Sequence, residues 1–238
     1  LSLHTVFILS ENIKWLEEFL IYYIHLGFDH FYLYENDGST GKLNVNIKRY
    51  SGGEYINKYG FKRLTHTQKE DKEQLKYILG KYGKYITYIK WQPRDEKGSI
   101  IYDQERAIDH FMIHFGHETQ WVACMDLDEF LFSPDKVDLV AFLKSQKETI
   151  SCIKILQKKF IDRHLSKKKY ITQDFQCVDH IIAGTHRNPK NIIRCQHFIW
   201  FACIHNFFLN YNMIIPEVNI LRFNHYNGNP FTLAELKE

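Results

Sequence analysis

The stretch Thr5-Val6-Phe7-Ile8-Leu9, followed by Ser10-Glu11-Asn12 and then by Ile13 through Leu26, decides the fold. Its first five residues form a mainly apolar run of strand length, and Ser10-Glu11-Asn12 breaks that run with residues suited to capping a helix. From Ile13 to Leu26 the residues Trp15, Leu16, Phe19, Leu20, Tyr23 and Ile24 recur at helical spacing, and Gly27 is a natural stop. Phe31-Tyr32-Leu33-Tyr34 reads as a second strand that ends in Glu35-Asn36-Asp37-Gly38-Ser39-Thr40. Strand, helix and strand in this order make a βαβ unit, which implies parallel pairing and a right-handed crossover. The fold class is therefore α/β.

Working outward, residues 51–60 are glycine-rich and read as loop, Ile86–Trp91 as a strand, and Ile100–Phe115 as a helix. Trp121-Val122-Ala123-Cys124-Met125 is an apolar run that climbs into Asp126-Leu127-Asp128-Glu129 and turns apolar again through Phe130-Leu131-Phe132. Past Pro134 a helix runs to about Lys147, followed by the strand Ile150–Leu156; beyond that the pattern loosens into shorter strands and aromatic clusters. No internal repeat and no linker interrupts the chain, so one domain over residues 1–238 is expected.

The composition is that of a globular protein, 45% apolar and 25% charged, with an aromatic share of 16% on the high side. Thirty-one Lys and Arg against 28 Asp and Glu leave a formal charge of +3, too little to make nucleic acid the main partner. The five cysteines are scattered without a Cys-x-x-Cys pair, which indicates neither a disulfide framework nor a zinc site. Reduced thiols and the lack of a signal or membrane segment lead to an expected cytoplasmic location, or a lumenal one if an anchor precedes Leu1.

The acidic corner carries the chemistry. In an open α/β sheet, ligands sit beyond the carboxyl ends of the strands. Carboxylates at i and i+2 of a strand point to opposite faces, but a turn at the strand's end can bring Asp126 and Asp128 to one cation. An all-oxygen site of this kind suits Mg²⁺ or Mn²⁺, with substrate phosphates completing the shell. Glu11, Asn12, Asn36 and Asp37 stand at the exits of the first two strands, where a nucleotide's base and ribose would be held. Each group has a plainer account as ordinary turn chemistry. Asp37 through Lys42 lacks the glycine spacing of a phosphate loop, and the helix bearing His110, His114 and His117 has Phe111 where a zinc protease carries glutamate. Asp126-x-Asp128 is also similar to the motif of haloacid-type phosphatases, although Glu129-Phe130 follows where that motif has Thr or Val.

Taken together the motifs resemble a known family. Glu11-Asn12 with Trp15-Leu16-Glu17-Glu18-Phe19, then Tyr23 through Thr40, is similar to the opening of glycosyltransferase family 92 and its family-2-like relatives. Gln104 sits where those proteins carry a glutamine before the acidic motif. Trp121–Phe132 resembles their Trp…Asp-x-Asp-Glu-Phe signature, Pro189–Arg194 with His205 their lysine-to-histidine segment, and Leu221–Tyr226 their Arg…Asn-His-Tyr ending. The chain departs from the family where Asn227-Gly228-Asn229-Pro230 replaces a Lys-Ser pair, and around Lys159–Asp162.

The resemblance implies a GT-A fold, with residues 1–132 as the nucleotide-sugar half and 133–238 as the acceptor half. It implies transfer of a hexose from a nucleoside diphosphate sugar, UDP-linked, to a glycan hydroxyl with inversion. Asp126 and Asp128 would hold Mn²⁺ or Mg²⁺, with His225 as third ligand and His205 as alternative. Lys190 and Arg194 would face the phosphates, and Gln104 would join the donor site. Inversion requires a general base. Asp179 is the first candidate and Asp162 the alternative, and Asp174 lies in the same half. A nucleotide-sugar or carbohydrate-binding module without turnover is the other functional class kept open.

Overall fold

The computed structural model describes residues 1–39, 48–49, 54–56, 62–64, 69–160, 171–174 and 189–226. Strand β1 (Ser2–Phe7) leads into helix α1 (Leu9–His25), and β2 (His30–Glu35) returns parallel to β1. The helix begins earlier than the sequence pattern suggests. Ser10-Glu11-Asn12 is its first turn rather than a break, because Asn12 Oδ1 accepts from Ile8 N at 3.1 Å while Ile8 O accepts from Asn12 N. It ends as expected: Gly27 N donates to Ile24 O and Phe28 N to Tyr23 O, the paired bonds of a Schellman stop. Gly27 adopts φ +90°, and a Cβ there would lie 2.6 Å from Val140 Cγ2, so no other residue fits.

Three short strands, β3 (Lys48–Arg49), β4 (Glu54–Ile56) and β5 (Lys62–Leu64), form a small antiparallel sheet. The expected loop over 51–60 is therefore partly strand, since pairing on both sides satisfies the β4 backbone. Helix α2 (Lys69–Tyr82) precedes β6 (Ile86–Lys90), and α3 (Gln104–His114) precedes β7 (Trp121–Cys124). Helix α3 starts at Gln104 rather than Ile100 because the Asp103 carboxylate accepts from Arg106 N at 2.9 Å and caps it. Strand β8 (Glu129–Phe132) and helix α4 (Leu139–Lys144) follow, the helix capped by Asp138 and shorter than expected. Then come β9 (Ile150–Ile155), β10 (Gln157–Phe160), the short α5 (Ile171–Asp174) and β11 (Lys190–Arg194). The chain continues through β12 (Phe198–Cys203), β13 (Asn206–Leu209), β14 (Asn212–Ile214) and β15 (Arg222–Tyr226).

Seven strands make the central sheet, in the order β14-β9-β11-β7-β1-β2-β6. β1, β2, β6 and β7 are parallel, and β11 alone runs against its neighbours β7 and β9. Alternation along the strands builds a core on each face. Leu3 and Phe7 of β1, Phe31 and Leu33 of β2, and Trp121 and Ala123 of β7 pack with α1 and α2. Val6, Tyr32, Tyr34, Val122 and Cys124 pack on the other face with Ala107 and Phe111 of α3. This is a mixed, mainly parallel Rossmann-like α/β fold with helices on both faces, as the βαβ reading requires. A second sheet, β10-β15-β8, stands at the exit of β7, with β15 parallel to β10 and antiparallel to β8. Among the described residues no helix is long and apolar enough to cross a membrane.

Candidate active site

Strand β7 leaves the sheet after Cys124, with Met125 N still donating to His4 O at 3.1 Å. The next four residues make a tight turn. Glu129 N donates to Asp126 O at 3.1 Å, and Asp126 N donates back to Glu129 Oε2 at 2.9 Å. The turn redirects the chain from the central sheet into β8, and so separates the two aspartates. The Asp126 carboxylate accepts from Gln104 Nε2 at 3.0 Å through Oδ1 and faces Lys190 Nζ at 2.7 Å through Oδ2. Asp128 Oδ2 lies 3.4 Å from His225 Nε2, and its backbone oxygen accepts from Tyr226 N at 2.8 Å.

The sheet's one reversed strand explains how Lys190 arrives. β11 begins where the parallel strands end, so its first residue stands at their carboxyl edge beside Asp126. Lys190 Nζ also reaches Glu129 Oε2 at 2.9 Å, and the Lys190 and Glu129 side chains are only 6% and 3% exposed. Burial would lower the Lys190 amine, but Asp126 and Glu129 outweigh it and hold the group protonated well above its ordinary value. Burial likewise works against the Asp126 carboxylate, yet Lys190 brings it below its usual range. Glu129 is pushed up by burial despite Lys190. His225 is the converse case: burial alone would lower it, while Asp128 and Glu129 raise it.

The second sheet brings His225 into place. β15 pairs with β8, setting His225 opposite Glu129, and with β10, whose Gln157 Oε1 lies 3.3 Å from His225 Nδ1. His225 Nδ1 is 3.9 Å from Glu129 Oε1. His205, in the turn between β12 and β13, hydrogen-bonds through Nδ1 with Pro189 O at 2.9 Å, one residue before Lys190. Among the described residues no three His, Cys, Asp or Glu side chains are gathered as a complete metal cage. Asp128 and His225 form a two-residue donor pair with Asp126 nearby. Such a pair fits a divalent cation whose other positions are filled by substrate oxygens.

The strand-exit residues divide by role. Asn36 Nδ2 donates to Trp91 O at 2.7 Å and to Ile101 O at 3.2 Å, tying the exits of β2 and β6 to the segment before α3. Its Oδ1 is buried with no partner among the described residues. Asp37 N donates to Glu35 Oε1 at 2.6 Å, and Asp37 O accepts from Gln92 Nε2 at 3.2 Å. Asn12 Oδ1 is engaged by Ile8 N, as described, and Glu11 stands beside it in the first turn of α1. Arg194 is not brought to this edge. It ends β11 opposite Trp121, with its guanidinium stacked 4.3 Å from that ring and donating to the carbonyls of Ile150, Gln146 and Lys147. Asp162 and Asp179 lie outside the described residues, as does the Asp174 side chain.

Several site residues carried no readable signal of their own. Glu129 looks in sequence like the tail of an acidic cluster, yet it is the buried acid that closes the turn. Tyr23 looks like one more apolar helix position, yet its hydroxyl donates to Glu129 O at 2.9 Å and accepts from Leu131 N at 3.1 Å. Tyr102 is half-buried near Asp126, Glu11, Asp128 and Glu129, and desolvation with those acids pushes its phenol well above the ordinary value. His4 is neutral, pushed down to about 3 by burial, and its Nε2 has no partner among the described residues. It lines a small cavity of about 20 Å³, shared with Thr5, Gln104, Asp126 and Lys190 and large enough for one water molecule.

Fold and site together define a Rossmann-like α/β protein with an acidic crevice at the carboxyl edge of its sheet, where such folds bind nucleotide-type ligands. The family model of glycosyltransferase family 92 matches residues 4–235, and the chain belongs to that family. It is therefore a glycosyltransferase, an enzyme that takes an activated sugar donor and passes the sugar to a glycan acceptor. No curated protein matches the sequence. Among solved structures, 4-diphosphocytidyl-2C-methyl-D-erythritol synthase from Anaerococcus prevotii DSM 20548 is similar at 10% identity and TM-score 0.38, covering 100% of this chain and 99% of that one.

Proposed function

We propose that the enzyme transfers a hexose from a UDP-linked sugar to a carbohydrate hydroxyl, with Mn²⁺ or Mg²⁺ bound at the acidic turn and with inversion at the anomeric carbon. The observation that carries this reading is the pairing of Asp128 with His225 at the carboxyl edge of the sheet, on the same turn as Asp126, although His225 lies about a hundred residues further along the chain. Asp128 and His225 would hold the cation and Asp126 would add a second carboxylate. The chemistry a cation supplies there is neutralisation of the charge that develops on the departing diphosphate.

The protein's own groups set up the site. Gln104 and Lys190 each hold one oxygen of the Asp126 carboxylate, so its plane is fixed before substrate arrives. Glu129 fixes the turn through the Asp126 amide, and Tyr23 anchors the strand that follows. Glu11, Asn36 and Asp37 stand at the exits of β1 and β2, on the side where base and ribose would lie. Asp179, or Asp162 in its place, is proposed to take the acceptor's proton; loss of transfer with intact UDP binding in only one of the two Asn variants would identify it.

Calorimetry of UDP in Mn²⁺ and in chelator tests the cation, and equal affinity in both removes its role. A two-by-two titration then tests His225. His225→Ala should weaken Mn²⁺-supported UDP binding more than metal-free binding, because a neutral imidazole is a competent ligand beside carboxylates. A merely structural histidine would affect both equally, and His205 would become the candidate ligand.

A further inference from the structure

The hairpin of β12 and β13 presents an outward face that the site described above does not use. Trp200 and Phe208 are paired across the strands and stack with ring centroids 5.5 Å apart and planes 8° from parallel. They are 58% and 51% exposed. A stacked pair of this size normally closes a core; here it faces solvent. Along β13 the exposed positions alternate as Asn206 and Phe208, while Phe207 and Leu209 turn inward to pack on the core. The result is an exposed ring pair with the Asn206 amide on the same face of β13.

The strip starts at the crevice. The turn that joins the two strands is Ile204-His205. His205 O accepts from Asn191 Nδ2 at 3.1 Å, and Ile204 lines the small cavity beside Asp126 and Lys190. Asn206 is the next residue, held by Lys154 Nζ on Oδ1 at 3.0 Å. Phe208 lies about 7 Å further along the strand, at roughly 3.4 Å per residue.

We propose that this face is a glycan-binding subsite that holds the acceptor chain and leads its end into the crevice; the acceptor role rests on the transferase reading above. Pyranose rings offer an apolar C–H face to aromatic rings, and the exposed Trp200–Phe208 stack presents such a platform on the strip that leads from the crevice. The parallel Trp200–Phe208 stack forms a flat platform at low entropic cost, since each ring has only two side-chain torsions.

The test uses the full chain without donor or metal, so that binding is measured apart from turnover. Hexasaccharides of glucose, of galactose and of N-acetylglucosamine are titrated while tryptophan emission is followed. At least one should shift the emission. Trp200→Ala and Phe208→Ala should each weaken binding of that sugar about tenfold or more, equivalent to about 1.4 kcal/mol, with unchanged melting temperature. Trp200→Tyr should restore most of it, measured by calorimetry. In turnover, Trp200→Ala should raise KM for long acceptors far more than it lowers kcat.

No binding to any of the three sugars, or binding indifferent to both alanine variants, overturns the proposal. So does Trp200-dependent attachment to phosphatidylcholine vesicles, or Trp200-dependent self-association in sedimentation, in place of sugar binding. Trp200-dependent sugar binding without transfer from any UDP-sugar would sustain the subsite and remove the UDP-dependent reading instead.

Discussion

Lys190 and Arg194 stand at the two ends of one strand, both cationic and both buried, and they do opposite things. Lys190 is enclosed by Asp126 and Glu129 at the crevice, where its charge orients a carboxylate. Arg194 is enclosed by Trp121, three backbone carbonyls and the largely exposed Glu148, and its charge holds the β9 side of the sheet together. Four steps along the strand separate them by about 13 Å. The difference teaches that burial of a cation says little about its role. Which end of the sheet it occupies, and whether buried acids or carbonyls answer it, decides.

Four experiments would break or sharpen that contrast. The largest effect is expected at the crevice: Asp128→Ala should lower transfer more than about a hundredfold, the scale of losing one electrostatic group at a reacting centre. Thermal unfolding should hardly change, because the Asp128 side chain carries little of the core. Wild-type turnover at saturating donor would show that the crevice has been misplaced.

The second experiment compares the cations directly. Lys190→Ala leaves Glu129 buried without its partner and should cost about 3–5 kcal/mol of stability as well as most activity. Arg194→Ala opens a cavity beside Trp121 and strands carbonyls, at about 2–4 kcal/mol, but kcat of the folded variant should stay close to wild type. Denaturant melts and kinetics on the two proteins decide it; equal loss of kcat in both would erase the contrast.

A smaller effect is expected for Gln104→Ala. It frees one oxygen of Asp126 while Lys190 still holds the other, so kcat/KM should fall about five- to tenfold, which is about 1 to 1.4 kcal/mol and the worth of one typical hydrogen bond. A hundredfold loss would promote Gln104 to a direct contact with substrate. The smallest effect is expected from thiol alkylation of the folded protein. Cys124, Cys152 and Cys195 are buried and pushed up to about 12 by desolvation, so they are poor nucleophiles and should not react. Loss of transfer without unfolding would place a cysteine in the chemistry.

The parts of this protein legible in its sequence are those whose signal is local. Thr5–Leu9, the 3.6-residue recurrence from Ile13 to Leu26, and Phe31–Tyr34 specify a βαβ unit because apolar spacing and the Gly27 stop act within one helix or strand. The turn at Asp126–Glu129 was legible as a place where an apolar strand ends in acids, since that change of composition is also local. Boundaries shifted where a side chain caps at a distance of a few residues, as Asn12 does for Ile8 and Asp103 for Arg106.

The amino-acid sequence by itself determined the α/β class, the parallel first strands, the acidic corner and, through its ordered motifs, the transferase family. Tertiary structure alone decided that β11 runs against its neighbours, which puts Lys190 at the crevice and Arg194 at the far edge. It alone decided that β15 pairs with β8, bringing His225 within 3.4 Å of Asp128, and that Glu129 is a buried acid rather than a solvated one. The physical reason is the same each time. Spacing along a chain encodes which face a residue takes within its own element. The direction of a strand and the partner across a sheet are set by packing among elements far apart in sequence.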